Sequence, residues 1–336
     1  MLDDYKKHVD ERAELNIPPL PLDADQTSEL ISLLKEKNSD PDYLLNLLKE
    51  RVPAGVDQAA YVKAAFLADI TTGNASSPYI SKIDAVEILG TMLGGYNVEP
   101  LIRCLEIEEL AETASHVLGR TLLIFDAFNE IFELSKKNKY AKRVIEEWAD
   151  AKWFTEKEDI KDQIKLTVFK VSGEINTDDL SPAPDAWSRP DIPLHALAMF
   201  KMPRTGLDDP LGTIEKLKEK GNPLVFVGDV VGTGSSRKSA TNSVLWHMGD
   251  EIPHIPNKKE GGYCFGGKIA PIFFNTLEDS GAFPIEMDVS KMLMGQEIIL
   301  EPLKGKVIDA NTNETLSEFK LKTDVLLDEV RANGRI

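Results

Sequence analysis

The segment NPLVFVGDVVGTGSSRKSATN, residues 222–242, contributes most to the fold prediction. β-forming residues at 224–227 predict a strand, three glycines predict a turn after it, and a helix is predicted to begin next. The turn glycines are Gly228, Gly232 and Gly234, and the residues at the helix start are Ser235, Ser236 and Arg237. This order indicates an anion site, because glycines let the backbone approach a ligand, helix-start N–H groups carry partial positive charge, and a guanidinium binds a carboxylate or phosphate with two hydrogen bonds.

The spacing of this segment excludes two common phosphate sites. A nucleotidase phosphate loop requires a glycine directly before its lysine, whereas Lys238 follows Arg237. A dinucleotide fingerprint requires a third glycine where Arg237 stands. The remaining alternatives are a plain strand-to-helix turn and, for Ser235, a helix cap. The Ser-Ser-Arg run favours the anion site, because a turn needs no cation.

The composition indicates two folded domains. A chain of 336 residues can form two cores, and its 42% hydrophobic and 28% charged residues lack any low-complexity tract. The formal net charge is −17, of which residues 1–160 carry −12 (18 basic and 30 acidic residues). Bulk attraction to nucleic acid or to an anionic membrane is therefore not expected, although a local basic patch stays open.

The termini and cysteines indicate a cytoplasmic protein. The opening MLDDYKKHVDERAE is acidic and unlike a secretory signal, and no apolar run approaches the roughly 18 residues of a membrane helix. Cys104 and Cys264 fall in different predicted domains and lack the spacing of a metal-ligand pair. We expect both to be small buried side chains.

The sequence of residues 1–157 predicts one helix after another. The helical apolar spacing and the Gly/Pro punctuation predict eight segments, and Ser81 with Asp84 predicts a capping pair for the fifth. The segments are Leu2–Leu15, Ala24–Lys37, Pro41–Arg51, Gln58–Thr72, Lys82–Leu93, Glu99–Leu122, Ala127–Lys137 and Ala141–Lys157. Short joints indicate an antiparallel stack of helix pairs without a strict repeat period.

Residues after 163 predict an α/β layer with a mixed sheet, reached through a polar linker at 158–163. The predicted strands are Leu166–Val171, Leu224–Val227, Lys268–Phe274, Ile285–Val289, Glu297–Leu300 and Leu316–Leu321, and the predicted helices between them are Thr213–Lys220 and Ser236–His247. The sequence therefore predicts an α + α/β fold, with a helical domain at 1–160 and an α/β domain at 161–336. The ligand loop is expected beyond a strand's carboxyl end.

Other polar residues of the second domain were weighed as site residues. The run 176–179, Asn-Thr-Asp-Asp, is interpreted as turn and cap chemistry, with a base or metal site as the alternative. His195 is an active-site candidate, and no histidine of this domain has metal-ligand spacing. Lys238 either adds positive charge to the site or faces solvent.

Three motifs resemble one enzyme family. GDVVGTGSSRKSATNSVLW and GGKIAPIFFNTLEDSGAFPIE (residues 266–286) are similar to the mobile domain of aconitases and isopropylmalate isomerases. NTDDLSPAPDAWSRPDIPLHALAM (residues 176–199) resembles the bacterial B-type aconitate hydratases in particular. The resemblance spans essentially the whole chain and implies an N-terminal helical HEAT-like stack followed by a swivelling domain of β/β/α type.

The resemblance implies hydro-lyase chemistry of the tricarboxylic acid cycle, in which water moves between citrate, cis-aconitate and isocitrate. It assigns the catalytic base to Ser235 and carboxylate binding to Arg189, Ser235, Ser236 and Arg237. Without the resemblance, Arg189 would be read as a solvated loop residue. A [4Fe–4S] cluster acts as Lewis acid in this family, and its cysteine ligands have no counterpart here. The chain is therefore expected to be the N-terminal portion of a longer enzyme and inactive by itself.

The resemblance also implies partners and leaves alternatives open. It implies a tricarboxylate substrate, a homodimer through the helical domain, binding of messenger RNA when the cluster is lost, and no membrane. The alternatives are a regulatory protein-binding or RNA-binding module, and a small subunit of an isopropylmalate isomerase. Discrimination between citrate and methylcitrate is outside what this sequence determines.

Overall fold

A computed structural model describes residues 2–121 and 125–334. The chain divides into two compact units, Met1–Lys157 with Pro253–Pro256, and Glu158–Ile252 with Asn257–Ile336. The first is helical and the second combines helices with a seven-stranded sheet, so the predicted α + α/β class is confirmed. Across the described residues, no helix is both long and apolar enough to span a membrane.

In the part of the helical unit that the structure describes there are ten α-helices. They are α1 (Leu2–Ala13), α2 (Ala24–Leu34), α3 (Pro41–Asn46), α4 (Gln58–Thr72), α5 (Lys82–Gly90), α6 (Val98–Cys104), α7 (Glu108–Gly119), α8 (Phe125–Ser135), α9 (Lys139–Ala149) and α10 (Lys152–Thr155). The main packing series is α2 on α4, α4 on α5, α5 on α7 and α7 on α9. Leu30, Leu67 and Leu89 are among the side chains that fill the core between these helices.

Capping side chains set where two of these helices begin. Asp23 and Gln26 form a reciprocal capping box at α2. Ser81 and Asp84 form a second one at α5, with Ser81 N donating to Asp84 Oδ2 at 2.8 Å, so this predicted pair is confirmed. Each box satisfies two backbone N–H groups that a helix start otherwise leaves without partners.

Two long helix predictions are wrong, because each segment breaks in the middle. Glu99–Leu122 forms α6 and α7, and Ile107 between them is extended (φ −102°, ψ 108°); Leu122 lies outside the described residues. Ala141–Lys157 forms α9 and α10, separated at Ala151, which adopts a left-handed conformation (φ 49°). Neither break carries the glycine or proline that would signal it.

The α/β unit is built on a mixed sheet. Its strands are β1 (Ile164–Asn176), β2 (Leu224–Thr233), β5 (Tyr263–Ile269), β6 (Phe283–Glu286), β7 (Glu297–Glu301), β8 (Lys306–Asp309) and β9 (Thr315–Glu318), and a separate hairpin contains β3 (Asp250–Glu251) and β4 (Lys259–Glu260). The order is β6-β5-β2-β1-β7-β8-β9. The β6-to-β1 half is parallel and the β1-to-β9 half is antiparallel.

Among the described residues, five α-helices connect the parallel strands and a sixth follows β9. They are α11 (Thr177–Leu180), α12 (Ile192–Ala196), α13 (Pro210–Lys218), α14 (Arg237–Met248), α15 (Pro271–Asp279) and α16 (Val325–Ala332). Of these, α14 packs on β2 and α15 packs on β2 and β6. Phe169, Phe226 and Phe265 are fully buried in the core of this unit.

Two strand predictions in this unit need correction. The strand predicted at Lys268–Phe274 ends at Ile269, and Pro271 then occupies the first turn of α15, where its missing N–H costs nothing. The strand predicted at Leu224–Val227 continues to Thr233, so Gly228 and Gly232 lie in β2 rather than in the turn. Gly228 pairs with Val171 of β1 and Gly266 of β5, whereas Gly232 has φ +79° and lies at a register irregularity between β1 and β2.

Candidate active site

The candidate site lies beyond the carboxyl ends of the neighbouring parallel strands β1 and β2. Asn176 at the end of β1 pairs in register with Thr233 at the end of β2. The next residues of the two strands are Thr177, which begins α11, and Gly234, which leads into α14. Ligand sites of open α/β sheets lie at this edge.

Gly232 near the end of β2 and Gly234 in the loop after it are both required by close contacts within the protein. Gly234 has φ +115°, and a Cβ built on it would lie 2.4 Å from Thr177 Oγ1. Gly232 has φ +79°, and a Cβ there would lie 2.2 Å from Phe273 Cγ. The sequence interpretation placed a ligand at this close approach, but the atoms approached belong to Thr177 and Phe273. Ser236 N donates to Thr177 Oγ1 at 3.2 Å and holds the loop against α11.

The two serines occupy different environments. Ser235 is exposed in the bend before α14. Ser236 is the N-cap residue, so the capping alternative for Ser235 is wrong, and the Ser236 side chain makes no capping hydrogen bond. Its Oγ instead accepts from Arg189 Nη2 at 3.0 Å.

Arg189 is half-buried and held by serines on two elements. Its Nε donates to Ser181 Oγ at 3.3 Å, and its Nη2 contacts Ser181 O at 3.4 Å as well as Ser236 Oγ. Within residues 2–121 and 125–334, Nη1 has no hydrogen-bond partner and the guanidinium has no acidic partner. The fold therefore brings Arg189 to the serine pair across 47 residues of sequence.

Arg237 is the first residue of α14 and is also half-buried. Its Nε donates to Gly234 O at 3.1 Å, which fixes the guanidinium beside the loop. No carboxylate of the described chain pairs with it. Arg237 and Arg189 thus each use Nε to fix their orientation and retain terminal N–H donors, which is the arrangement that binding of carboxylates requires.

A group of side chains that we call the hydroxyl network contacts Arg189. It consists of the buried Ser181, Ser188 and His195 and the half-buried Ser239. His195 Nε2 lies 2.7 Å from Ser181 Oγ, and its Nδ1 lies 2.8 Å from Ser188 Oγ. Ser181 Oγ also lies 2.8 Å from Ser239 Oγ. Burial, and then the positive charge of Arg189, lower the pKa of His195 and favour the neutral ring.

The polar run at 176–179 has a structural role. Asn176 Oδ1 accepts from the backbone N–H groups of Asp178 and Asp179, and Asp179 Oδ2 accepts from Asn176 N, which completes a capping box on α11. Asp179 also pairs with Arg204 at 3.0 Å. The interpretation of this run as cap chemistry is confirmed. Lys238, next to the site, is exposed.

The described residues do not suggest a metal centre. No three His, Cys, Asp or Glu side chains in that part of the chain are grouped so that they could hold an ion.

Both cysteines are buried, as expected, and burial raises the pKa of Cys104 and raises that of Cys264 to about 12. His247 is buried as well, with Nε2 3.0 Å from Ala196 O.

Sequence reasoning missed three residues that shape the site, namely Ser181, Ser188 and Ser239. Ser239 had a detectable signal, because residues three apart share a helix face and Ser236 and Ser239 lie at that spacing. Ser181 and Ser188 had none, since only tertiary packing brings them to His195.

Two family models match the chain. The one described as "Aconitate hydratase 2 N-terminus" matches residues 166–336, and the one described as "Aconitate B N-terminal domain" matches residues 4–154. Curated relatives called aconitate hydratase B align with 100% of this chain, at 58% identity in Escherichia coli, 57% in Pseudomonas aeruginosa and 50% in Helicobacter pylori. The chain spans about two fifths of their length (40%, 40% and 39%). Among solved structures, a 3-isopropylmalate dehydratase (leuD) from Methanocaldococcus jannaschii is 19% identical, with 52% of this chain and 90% of that one covered and a TM-score of 0.39.

Proposed function

The chain belongs to the aconitate hydratase B family, and from that premise we propose that it supplies the proton-abstracting and carboxylate-binding part of an active site that interconverts citrate and isocitrate through cis-aconitate. The observation that carries the proposal is the hydrogen bond from Arg189 Nη2 to Ser236 Oγ, 3.0 Å long, one residue from Arg237. It joins two of the four residues that the family resemblance assigns to substrate binding, and a third, Arg237, directly follows Ser236. Dehydration of 2-methylisocitrate is a second reaction of the same type.

Ser235 is proposed as the base that takes the carbon-bound proton of the substrate. Its exposed position before α14 leaves the hydroxyl accessible, whereas the neighbouring Ser236 hydroxyl is bound to Arg189. Serine is a poor base in water, so its alkoxide must be stabilised locally. The first-turn N–H groups of α14 and the Arg237 charge lie beside it and would supply that stabilisation.

Arg189 and Arg237 are proposed to bind two carboxylates of one tricarboxylate. Each guanidinium is fixed through Nε to protein oxygens and has terminal donors left. A hydrogen bond to a charged group contributes about 1.5–3 kcal/mol when it is shielded from water. Two such contacts would distinguish a tricarboxylate from a monocarboxylate.

The iron-sulfur cluster of the family does not fit the residues of this chain. Such clusters are held by cysteine thiolates. Cys104 and Cys264 lie in separate units, and burial keeps both protonated by raising their pKa values. The chemistry proposed for this chain therefore consists of proton abstraction at Ser235 and carboxylate binding.

We further propose a cytoplasmic location and self-association through the helical unit. Val56, Tyr61 and Leu93 are exposed there by 74%, 54% and 71%, and the loops that carry Val56 and Leu93 are joined by the hydrogen bond from Leu93 N to Ala54 O at 2.8 Å. Contiguous exposed apolar side chains favour protein contacts. The regulatory binding of messenger RNA is the weaker proposal, because residues 1–160 carry a net charge of −12.

Titration of the 336-residue chain with citrate, followed by NMR at constant ionic strength, tests the carboxylate site. We expect Arg189→Ala and Arg237→Ala each to weaken binding about ten- to 150-fold, the loss of one charged hydrogen-bonded contact. Lys238→Ala is the matched control, because it removes an exposed charge next to Arg237. An equal loss in the control, or no response of the chain to citrate, would contradict the proposal. An equal response to 2-isopropylmalate would favour the isopropylmalate isomerase alternative.

A further inference from the structure

The orientation of Arg189 depends on a hydroxyl that has only one hydrogen. Ser181 Oγ lies within hydrogen-bond distance of three groups: Arg189 Nε at 3.3 Å, His195 Nε2 at 2.7 Å and Ser239 Oγ at 2.8 Å. Arg189 Nε is always a donor, so Ser181 Oγ must present a lone pair to it. The direction of the Ser181 hydrogen therefore decides whether Ser181 Oγ can accept from Arg189 Nε.

The other side of the imidazole ring fixes the direction of these hydrogen bonds. Ser188 Oγ donates its hydrogen to Asp185 O at 2.7 Å, so it can only accept from His195 Nδ1 at 2.8 Å. The ring hydrogen of neutral His195 therefore sits on Nδ1, which leaves Nε2 as an acceptor. The Ser181 hydroxyl then points its hydrogen at Nε2 rather than at Ser239 Oγ, the other acceptor within reach, and a lone pair faces Arg189 Nε.

Burial supports this assignment. His195 is 2% exposed, and within the described residues it faces Arg189 as the nearby cation and Asp185 as the nearby acid. Desolvation and the Arg189 charge both lower its pKa. A protonated ring would direct a second cationic donor at Ser181 Oγ, in competition with Arg189 Nε.

We infer that His195 is a positioning residue for Arg189: its bare Nε2 takes the Ser181 hydroxyl hydrogen, so that Ser181 holds Arg189 Nε and Arg189 Nη1 is left for a carboxylate. The inference rests on the proposed function for the role of that carboxylate. The positioning itself concerns only contacts within this chain. His195 touches no substrate in this scheme and acts through Ser181.

Two substitutions at His195 separate positioning from core filling. His195→Gln places an amide oxygen where Nε2 was and keeps the acceptor for Ser181. His195→Asn places its amide near Nδ1 and loses that acceptor while retaining a donor for Ser188. At the serines, Ser181→Ala removes the link to Arg189, and Ser188→Ala removes the acceptor for Nδ1 together with the hydrogen bond to Asp185 O.

The primary measurement is hydrogen exchange of the Arg189 Nε–H group by NMR in the ligand-free chain, with Arg189→Lys identifying the resonance. We expect exchange about three- to tenfold faster in His195→Asn and Ser181→Ala, equivalent to the loss of one hydrogen bond, and within about twofold of the original chain in His195→Gln. Citrate affinity should follow the same order. Long-range proton–nitrogen spectra should show hydrogen on Nδ1 and none on Nε2.

The outcomes distinguish this inference from the proposed function. Exchange in His195→Asn no faster than in His195→Gln, or hydrogen on Nε2, would overturn the positioning role. If His195→Asn does not fold, the ring nitrogen that carries the hydrogen in the original chain decides the same point. If Arg189 exchange follows the expected order but the chain does not bind citrate, the positioning role is retained and the proposed function is contradicted.

Discussion

Substitution of Gly234 by alanine should disrupt the candidate site from within the loop. Gly234 has φ +115°, which residues with a Cβ rarely adopt, and the added Cβ would lie 2.4 Å from Thr177 Oγ1. Thr177 Oγ1 also accepts the hydrogen bond from Ser236 N. The new methyl group therefore forces either the loop or Thr177 to move, and either movement breaks that bond.

The expected cost follows from these two effects. A residue other than glycine held at positive φ costs about 1–3 kcal/mol. Loss of the hydrogen bond from Ser236 N to Thr177 adds about 0.5–1.5 kcal/mol. We therefore expect Gly234→Ala to lower the unfolding free energy by about 2–4 kcal/mol, a large part of the 5–15 kcal/mol typical of a domain.

Urea unfolding of the α/β unit measures this loss, and Gly221→Ala is the matched control. Gly221 also has positive φ, +76°, but nothing lies within 4 Å of its added Cβ, so only backbone strain is expected there. The double variant Gly234→Ala/Thr177→Ala removes the collision with Oγ1. Its loss of unfolding free energy should therefore be smaller than the sum of the losses in the two single variants. A Gly234→Ala loss no larger than that of Gly221→Ala, with citrate binding unchanged, would refute the reasoning.

Two buried titratable groups make stability depend on pH. Lys63 is fully buried, its Nζ has no partner among the described residues, and burial lowers its pKa to about 8. Between pH 8 and about 10.4 the unfolded chain therefore binds more protons than the folded chain, so the unfolding free energy rises with pH over that window. Lys63→Met should remove this rise and increase the unfolding free energy at pH 7 by about 1–3 kcal/mol. The exposed Lys82→Met is the control. Burial lowers the pKa of His247 to about 4. The unfolding free energy should therefore fall as pH drops from about 6.5 to 4. His247→Gln should reduce this fall in thermal melts recorded across that pH range. If the unfolding free energy of His247→Gln depends on pH as steeply as that of the original chain, His247 is excluded as the cause.

The features that sequence predicted well are those fixed by local chemistry. The capping pair of Ser81 and Asp84 forms as predicted, and α14 begins one residue after the predicted start at Ser236. Both depend on groups a few residues apart. The two breaks inside long helical patterns, at Ile107 and Ala151, depend instead on where the flanking helices pack, which short-range patterns do not record.

The candidate site shows the same division. The Gly-Ser-Ser-Arg segment was found from its order alone, because a strand, a tight loop and a helix start are local. Arg189 became a candidate only through the family resemblance, and its contact with Ser236 spans 47 residues. His195 could be noted for its chemistry, but the partners that fix its protonation, Ser181 and Ser188, are set by tertiary contacts.

The serine pair illustrates why identical neighbours need not share a role. Ser236 faces Arg189 and its oxygen accepts from Arg189 Nη2, so a lone pair that a base would use is directed to this cation instead. Ser235 precedes the helix, is exposed, and has no such contact among the residues described. A base must have a lone pair that reaches the substrate proton. The hydrogen-bond geometry therefore favours Ser235 as the proposed base and Ser236 as a residue that holds Arg189 in place for a carboxylate.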